Sequence, residues 1–289
     1  MKATFFGSLK TLLDLIRMRN AAISFLGVYV GALVFLLKPS MPLLEVLKAA
    51  VSTSLILGAG NTLNDYFDFE IDRVNRPKRP IPSGRISRRW ALIVSVVLFL
   101  VGLGFALGIN DLCFDIALFN SALLVMYAAY GKRMLLASNI MISYLVASVF
   151  LYGAAAVHSP TVSFDPAGAK LVVILALCAF FVNFSREIVK DIEDVEGDMK
   201  KNSLTLPIRY GEKNARLLAF TSAVFAVLIS LTPVLSQTHS FNRLAYTALL
   251  IPTDIMILFS FTTCPATNQK LLVLSMTLAL LSFLLGATI

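Results

Sequence analysis

Long stretches without charged residues restrict the fold of this chain more than any other feature of its sequence. Eight stretches contain no Lys, Arg, Asp or Glu, and a ninth is interrupted only by Asp254. They cover residues 20–37, 49–64, 90–110, 116–131, 134–157, 171–185, 217–242, 244–269 and 271–289. A helix that crosses a bilayer needs about 20 mostly apolar residues, so flanking polar residues must extend the shorter stretches. The pattern predicts about nine transmembrane helices.

The composition agrees with a membrane protein and excludes a soluble one. Only 15% of the residues are charged, whereas an average soluble domain has about 25%. The apolar stretches also lack the alternation of barrel strands, and a bilayer admits only helices or closed barrels. The sequence therefore predicts an all-α, polytopic fold in which residues 1–289 form a single transmembrane domain. Residues 1–19, with Asp14 among their apolar residues, are expected to form an amphipathic segment at the membrane surface.

Positive charges are unevenly distributed among the predicted loops. The loops after the second, fourth and sixth spans hold Arg73, Arg76, Lys78, Arg79, Arg85, Arg88, Arg89, Lys132, Arg133, Lys190, Lys200, Lys201, Arg209, Lys213 and Arg216. The other loops hold little beyond Lys38, Lys48, Lys170 and Arg243. By the positive-inside rule, the first group of loops and the N-terminus lie in the cytoplasm and the C-terminus lies outside. The net charge of +8 thus reflects orientation in a cell membrane and does not indicate a nucleic-acid partner.

Two acidic motifs repeat across the chain. "NDYFDFEID" occupies residues 64–72, and "KDIEDVEGD" occupies residues 190–198. Four acids recur at one constant spacing, as the pairs Asp65 and Asp191, Asp68 and Asp194, Glu70 and Glu196, and Asp72 and Asp198. Four predicted spans separate the motifs, and an even number of crossings returns the chain to the same side. The repeat is therefore expected to be parallel, with both motifs on the cytoplasmic side.

The spacing within each motif indicates a metal site. Asn64, Asp68 and Asp72 stand at i, i+4 and i+8, and Asp191, Asp194 and Asp198 stand at i, i+3 and i+7. Both spacings place side chains on one helical face, where like charges repel each other. Mg²⁺ offsets such repulsion and typically takes one or two carboxylates together with phosphate oxygens. The alternative for either motif alone is a solvated acidic loop balanced by its own arginines.

Cations directly follow the first motif, in "RVNRPKRPIPSGR" at residues 73–85. The prolines stop the helix, and the arginine fork suits phosphate oxygens. Carboxylates, a divalent metal and Arg76 or Arg79 together make a diphosphate site. The alternative is positive-inside topology or contact with lipid head groups, which accounts well for Arg88 and Arg89. Diphosphate becomes a good leaving group once its charge is neutralised, and an allylic cation left behind needs shelter from water.

These motifs, together with "RPIPSGRIS", resemble those of the UbiA superfamily of intramembrane prenyltransferases over essentially the whole chain. The resemblance implies nine helices around a central cavity, with Mg²⁺ bridging both motifs to a prenyl diphosphate. It implies metal binding by Asn64, Asp68, Asp72, Asp191, Asp194 and Asp198. It also implies diphosphate contacts from Arg76, Arg79, Lys132 and Lys190.

Two shorter segments also resemble the family. "RMRN" makes Arg17 and Asn20 candidates for substrate contacts, although Met18 replaces the usual proline. "YAAYGKRM" makes Tyr127 a candidate to face the allylic cation with its ring. With this tyrosine, the expected catalytic residues are Asp68, Asp72, Asp194 and Asp198. The alternatives are a membrane-surface anchor for Arg17 and an interfacial aromatic for Tyr127.

Residues 64–87 most closely resemble archaeal members that join geranylgeranyl diphosphate to geranylgeranylglyceryl phosphate. That reaction forms the second ether bond of archaeal membrane lipid, with both substrates drawn from the membrane. Spacing alone does not distinguish this acceptor from an aromatic one, such as 4-hydroxybenzoate or a quinone precursor. A transporter that uses the paired acids as a cation path is a third hypothesis, because transporters also show internal repeats and intramembrane acids. Against it, the acids lie at one membrane face, and the role of Asp254 stays open.

Overall fold

The computed structural model describes residues 9–37, 41–131, 134–158, 166–200, 204–235 and 241–288, and every regular element in them is helical. The helices are α1 (Leu9–Ile16), α2 (Met18–Leu36), α3 (Leu43–Phe67), α4 (Phe69–Asn75), α5 (Arg88–Leu107), α6 (Asp111–Tyr130), α7 (Ala137–Val157), α8 (Pro166–Glu193), α9 (Val195–Lys200), α10 (Leu206–Tyr210), α11 (Glu212–Ser230), α12 (Thr232–Leu235), α13 (Arg243–Ser260) and α14 (Pro265–Thr288).

Within these described ranges, nine helical segments are long and apolar enough to cross a membrane. They are α2, α3, α5, α6, α7, α8, α11 with α12, α13 and α14. The predicted all-α class and the nine spans are confirmed. The shorter apolar stretches are extended by polar residues as expected, since the stretch at 171–185 lies inside the longer helix α8.

The chain forms two compact units. Unit 1 comprises residues 1–29 and 42–131, and unit 2 comprises residues 30–41 and 132–289. The first part of α2 thus belongs with unit 1, and its remainder belongs with unit 2. The single domain expected over residues 1–289 stays a prediction.

In unit 1, small residues let α3 and α5 approach each other closely. A Cβ added to Gly102 would lie 2.7 Å from Ile56 Cγ1 and 3.2 Å from the backbone oxygen of Ser52. Ser52 Oγ donates to the Gly102 oxygen at 2.8 Å, and Ser95 Oγ donates to the Ala59 oxygen at 2.9 Å. Helices in lipid pack through such small residues and hydrogen bonds because lipid tails are as apolar as the helix surfaces.

The loop between α4 and α5 is anchored to α1 by its own apolar cluster. Leu15, Ile81, Ile86 and Ala91 are buried together in this cluster. Leu15 is fully buried on α1, whereas Asp14 beside it is exposed. The amphipathic membrane-surface segment expected over residues 1–19 stays a prediction. The cluster fixes the position of a loop that has no regular secondary structure of its own.

In unit 2, α8 packs against α7, α11 and α14. Its C-terminal part contributes Ile188, Val189 and Ile192 to a buried apolar cluster. The second part of α2 packs closely within the same unit, because a Cβ on Gly31 would collide with the backbone of Phe150. The helix end that carries the second acidic motif is therefore set on a packed core.

Asp254 lies inside α13, which continues through Pro252 without a break. Its carboxylate is buried and accepts a hydrogen bond from Ser230 Oγ at 2.9 Å. Tyr246 donates its hydroxyl to the backbone oxygen of the same Ser230 at 2.7 Å. Asp254 thus takes part in a packing contact between α13 and α11.

Candidate active site

The two acidic motifs interrupt their helices at equivalent residues. Asp68 alone separates α3 from α4, and Asp194 alone separates α8 from α9. The backbone bonds match as well, because Asp68 N donates to the Asn64 oxygen and Asp194 N donates to the Lys190 oxygen, both at 2.9 Å. The repeat seen in the sequence is therefore also a repeat of backbone structure in each unit.

In unit 1, Arg79 joins two buried carboxylates. Its Nη1 donates to Asp65 Oδ1 at 3.0 Å and to Asp72 Oδ2 at 2.5 Å. The two carboxylate side chains are only 3% and 6% exposed. A buried charge is costly unless it is paired, so Arg79 stabilises both acids. The sequence assigned Asp72 to a metal and Arg79 to diphosphate, and the structure pairs these two residues with each other.

A second arginine reaches the same carboxylate from the turn before α2. Arg17 Nη2 donates to Asp65 Oδ1 at 2.9 Å. The backbone of Arg17 has a φ of 56°, in the left-handed region that residues other than glycine seldom adopt. Such backbone strain concentrates at functional sites. The predicted Asn20 is half-buried, and its backbone N–H donates to the Arg17 oxygen at 2.8 Å.

Asn64 and Asp68 form the other contact within the first motif. Asn64 Nδ2 donates to Asp68 Oδ2 at 3.1 Å, and this bond does not use the amide oxygen of Asn64. Both side chains are half-buried. In the residues that the structure describes, no group of three or more His, Cys, Asp or Glu is arranged to hold a metal ion. The oxygen donors of each motif do fit Mg²⁺, which needs only one or two carboxylates when phosphate supplies further ligands.

In unit 2, an amide from α7 holds the first acid of the second motif. Asn139 Nδ2 donates to Asp191 Oδ2 at 2.8 Å. Ser138 Oγ donates to Asn139 Oδ1 at 3.0 Å, which fixes the amide so that its nitrogen faces Asp191. Further along the motif, Asp194 is exposed and Asp198 is half-buried. The second motif thus presents two accessible acids beside one that is held by an amide.

Lys190 contacts an acid one turn before it on α8. Its Nζ donates to Glu187 Oε2 at 3.2 Å, and Arg186 also donates to Glu187. The sequence assigned Lys190 to diphosphate, without noting this neighbouring acid. Tyr127 is half-buried near the end of α6, where its ring lies close to Gly131. The predicted Lys132 lies outside the described residues.

Asn139 was missed from the sequence, although a signal for it exists. Residues 20–26 read "NAAISFL" and residues 139–145 read "NIMISYL", so Asn20 and Asn139 occupy equivalent positions near the start of a span. Asp65 was also left out of the expected site, even though its pair Asp191 was included. Spacing within one motif does not reveal a donor from another helix such as Asn139, and Asp65 lies outside the i, i+4, i+8 series of the first motif.

An open cleft of about 500 Å³ lies between α1 and the loop after α4. Its charged lining residues are Asp14, Arg76, Lys78, Arg79 and Arg85. Arg85 Nη1 donates to Asp14 Oδ2 at 2.7 Å, and Arg85 Nη2 donates to the backbone oxygen of Lys78 at 2.9 Å. Arg79 lines this cleft and also contacts the acidic motif.

Spanning helices with equivalent acidic motifs at their ends define a polytopic membrane protein whose polar residues gather at the helix ends. The model of the UbiA prenyltransferase family matches residues 24–281. The chain belongs to this family.

Several relatives match over nearly the whole chain. The digeranylgeranylglyceryl phosphate synthase of Methanosarcina mazei is 36% identical, and the match covers 96% of this chain and 98% of that protein. The protein of the same name from Methanococcoides burtonii is 39% identical, covering 96% of this chain and all of that protein.

Solved structures give the same fold. A solved structure of a digeranylgeranylglyceryl phosphate synthase has a TM-score of 0.82 at 35% identity, covering 96% of this chain and 98% of that one. A UbiA homolog from Archaeoglobus fulgidus bound to GPP and Mg²⁺ has a TM-score of 0.70 at 18% identity, covering 95% of this chain and 98% of that one. At 18% identity, the likeness to the Archaeoglobus fulgidus structure shows a shared fold alone.

Proposed function

We propose that this protein transfers a geranylgeranyl group from geranylgeranyl diphosphate to the hydroxyl of geranylgeranylglyceryl phosphate, with Mg²⁺ as cofactor. The product carries the second ether bond of archaeal membrane lipid. The observation that carries the proposal is the pair of acidic motifs, which interrupt their helices at the equivalent residues Asp68 and Asp194. Near full-length similarity to digeranylgeranylglyceryl phosphate synthases supports the choice of acceptor.

In the proposed reaction, the bond between C1 of the allylic chain and the diphosphate oxygen breaks, and the electron pair leaves with the diphosphate. The acceptor hydroxyl oxygen bonds to C1. Its proton passes to the released diphosphate or to a motif carboxylate. Apolar helices dissolve the prenyl chains and exclude water from the cation. Tyr127 is the candidate to stabilise that cation with its ring.

The residues proposed to hold Mg²⁺ are those of the two motifs: Asn64, Asp68, Asp72, Asp191, Asp194 and Asp198. Bound Mg²⁺ supplies positive charge that stabilises the departing diphosphate. Arg79 and Arg17 hold the buried carboxylates of the first motif in place, and Asn139 does so for the second. Lys190, together with Lys132, is proposed to contact the diphosphate.

We also place the protein in the cell membrane with both motifs facing the cytoplasm. The support is the excess of Lys and Arg in the loops that adjoin the motifs. The donor diphosphate would then reach the site from the cytoplasmic side, while the acceptor lipid enters from the bilayer.

The test is an assay of the purified protein in detergent with Mg²⁺ and radiolabelled geranylgeranyl diphosphate. Geranylgeranylglyceryl phosphate and 4-hydroxybenzoate are offered in parallel, and EDTA followed by Mg²⁺ addition serves as the metal control. We expect label in the glycerol lipid only, with release of diphosphate, loss of activity in EDTA and recovery after Mg²⁺ is restored.

The other outcomes contradict parts of the proposal. Label in the aromatic acid alone would preserve the site and overturn the acceptor. Transfer that persists in EDTA would contradict the proposed requirement for Mg²⁺. An absence of transfer to either acceptor, with an active reference enzyme in the same detergent, would overturn the proposed reaction. The transporter hypothesis would then be tested with the protein in sealed vesicles.

A further inference from the structure

We propose that the cleft between α1 and the loop after α4 binds the phosphate monoester of the acceptor lipid, with Arg76 and Lys78 as its principal ligands. This inference rests on the proposed function and adds a second phosphate site to it. It assigns Arg76 to the acceptor, whereas the family resemblance had assigned this residue to the donor diphosphate.

Arg76 and Lys78 are cations that the described structure leaves without a partner. Both residues are exposed and line the cleft, and neither side chain forms a hydrogen bond or ion pair with another described residue. The remaining cations of the lining are engaged, because Arg85 pairs with Asp14 and Arg79 pairs with the buried acids. Two unpaired cations in one concave site suit a phosphate monoester, which carries a charge between about −1.5 and −2 near pH 7.

The cleft is distinct from the carboxylates that suit a metal. Its lining includes none of Asn64, Asp65, Asp68 or Asp72, and Arg79 is the residue that both regions share. A diphosphate bound through Mg²⁺ must approach the carboxylates, because they supply the protein ligands of the ion. A phosphate in the cleft would instead be held by cations alone. The geometry therefore favours a second, metal-free phosphate group on the other side of Arg79.

The position of the cleft suits a lipid head group. The loop that forms it lies between the ends of two spanning segments, α3 and α5. The prolines at 77 and 80 restrict its backbone, and Ile81 and Ile86 anchor it to α1. A lipid with its chains in the bilayer must carry its phosphate at the membrane surface. A head group bound there would lie beside Arg79, the residue that also contacts the acidic motif.

The test is steady-state kinetics of the R76Q/K78Q variant with two acceptors, geranylgeranylglyceryl phosphate and its dephosphorylated form. The matched control is R89Q, which removes an exposed cation from α5 that does not line the cleft. We expect R76Q/K78Q to raise the KM for the phosphorylated acceptor at least tenfold, to leave the KM for geranylgeranyl diphosphate unchanged, and to lose the preference for the phosphorylated acceptor. R89Q should match the wild type in both KM values and in its preference for the phosphorylated acceptor.

A rise in the donor KM without a rise in the acceptor KM would return Arg76 to the diphosphate and overturn the proposal. Unchanged values for both substrates would show that the cleft is a charged surface without a ligand. Both substituted residues are exposed, and neither side chain is paired with a described residue, so the variant should fold. Its unfolding temperature in detergent checks this expectation.

A second measurement separates this inference from the proposed reaction. If the wild type transfers nothing to the glycerol lipid, the probe is sn-glycerol 1-phosphate alone, titrated while the unfolding temperature is followed. A ligand that binds only the folded state raises that temperature. A rise in the wild type and in R89Q that is absent in R76Q/K78Q would support the cleft as a phosphate site. An equal response in all three proteins would overturn it.

Discussion

Asp68 and Asp194 each occupy the single position that separates two helices, whereas the other acids of the two motifs lie within helices. We expect Asp68→Ala and Asp194→Ala each to lower kcat at least about 100-fold, the usual cost of removing one preorganised electrostatic group. Both proteins should remain folded, because neither carboxylate is buried in the core. The measurement is the rate of prenyl transfer at saturating substrate, together with the unfolding temperature.

The repeat supplies matched controls for these two substitutions. Glu70 and Glu196 are equivalent acids of the same motifs, and both are exposed. Glu70→Ala and Glu196→Ala remove the same charge from the same segments, so we expect their rates to stay within about twofold of the wild type. Equal losses in all four variants would mean that the motifs act only through their total charge.

Asn139 is a positioning residue, because it acts on the site through Asp191. A hydrogen bond to a charged group contributes about 1.5–3 kcal/mol. If Asp191 holds the metal, we expect Asn139→Ala to raise the Mg²⁺ concentration for half-maximal rate by about tenfold or more. The measurement is the transfer rate as a function of free Mg²⁺, with the acceptor KM as an internal reference that should not change.

Asn268 offers a matched control for this prediction. It is also a buried asparagine of unit 2, and it accepts a hydrogen bond from Ser260 Oγ on α13 at 3.3 Å. Asn268→Ala should lower the unfolding temperature without changing the Mg²⁺ dependence. A purely structural role for Asn139 would make the two variants behave alike.

At the scale of the helices, the contact between α3 and α5 depends on one small residue. A methyl group added to Gly102 meets Ile56 and the Ser52 backbone, whereas one added to Gly104 meets nothing within 4 Å. We expect Gly102→Ala to destabilise the protein by about 1–3 kcal/mol through overpacking. Gly104→Ala should be neutral or stabilising by up to about 1 kcal/mol, because alanine favours a helix more than glycine does. Unfolding in detergent compares the two, and equal effects would exclude a close contact at Gly102.

The spanning helices could be predicted from the sequence because lipid forces each of them to be apolar over a fixed length. The breaks at Asp68 and Asp194 could not, because neither Gly nor Pro marks them and the backbone hydrogen bonds continue across them. The spacing of the first motif placed Asn64 beside Asp68, and these residues are in contact. Donors such as Arg17 and Asn139 lie far from the acids in sequence, so only the tertiary structure brings them together.

At the scale of the whole molecule, the orientation in the membrane decides which substrate pool the motifs can reach. The first motif follows the second span, and the segment between α13 and α14 follows the eighth. Six crossings separate them, so the two regions must lie on the same side of the membrane if all nine spans cross. Cys264 lies in that segment and is exposed, whereas Cys113 and Cys178 are buried. The chain thus carries a natural reporter for the side that the motifs face.

Labelling with a membrane-impermeant maleimide tests this orientation. The contact between Cys264 Sγ and Thr267 Oγ1 lowers the pKa of the Cys264 thiol, which favours its reaction. In intact cells the wild type should stay unlabelled, and permeabilisation should expose Cys264. The control carries Asp111→Cys and Cys264→Ser, because Asp111 is exposed at the opposite end of the spans and should react in intact cells.

The reverse labelling pattern would place both motifs outside the cell, where no cytoplasmic prenyl diphosphate could reach them, and the proposed donor would have to be abandoned together with the orientation. Five spans separate Asp111 from Cys264, so the two positions should lie on opposite sides of the membrane. Labelling of both proteins in intact cells would therefore mean that at least one of those five helices does not cross. Only the predicted pattern satisfies the charge distribution, the count of spans and the supply of a charged donor at once.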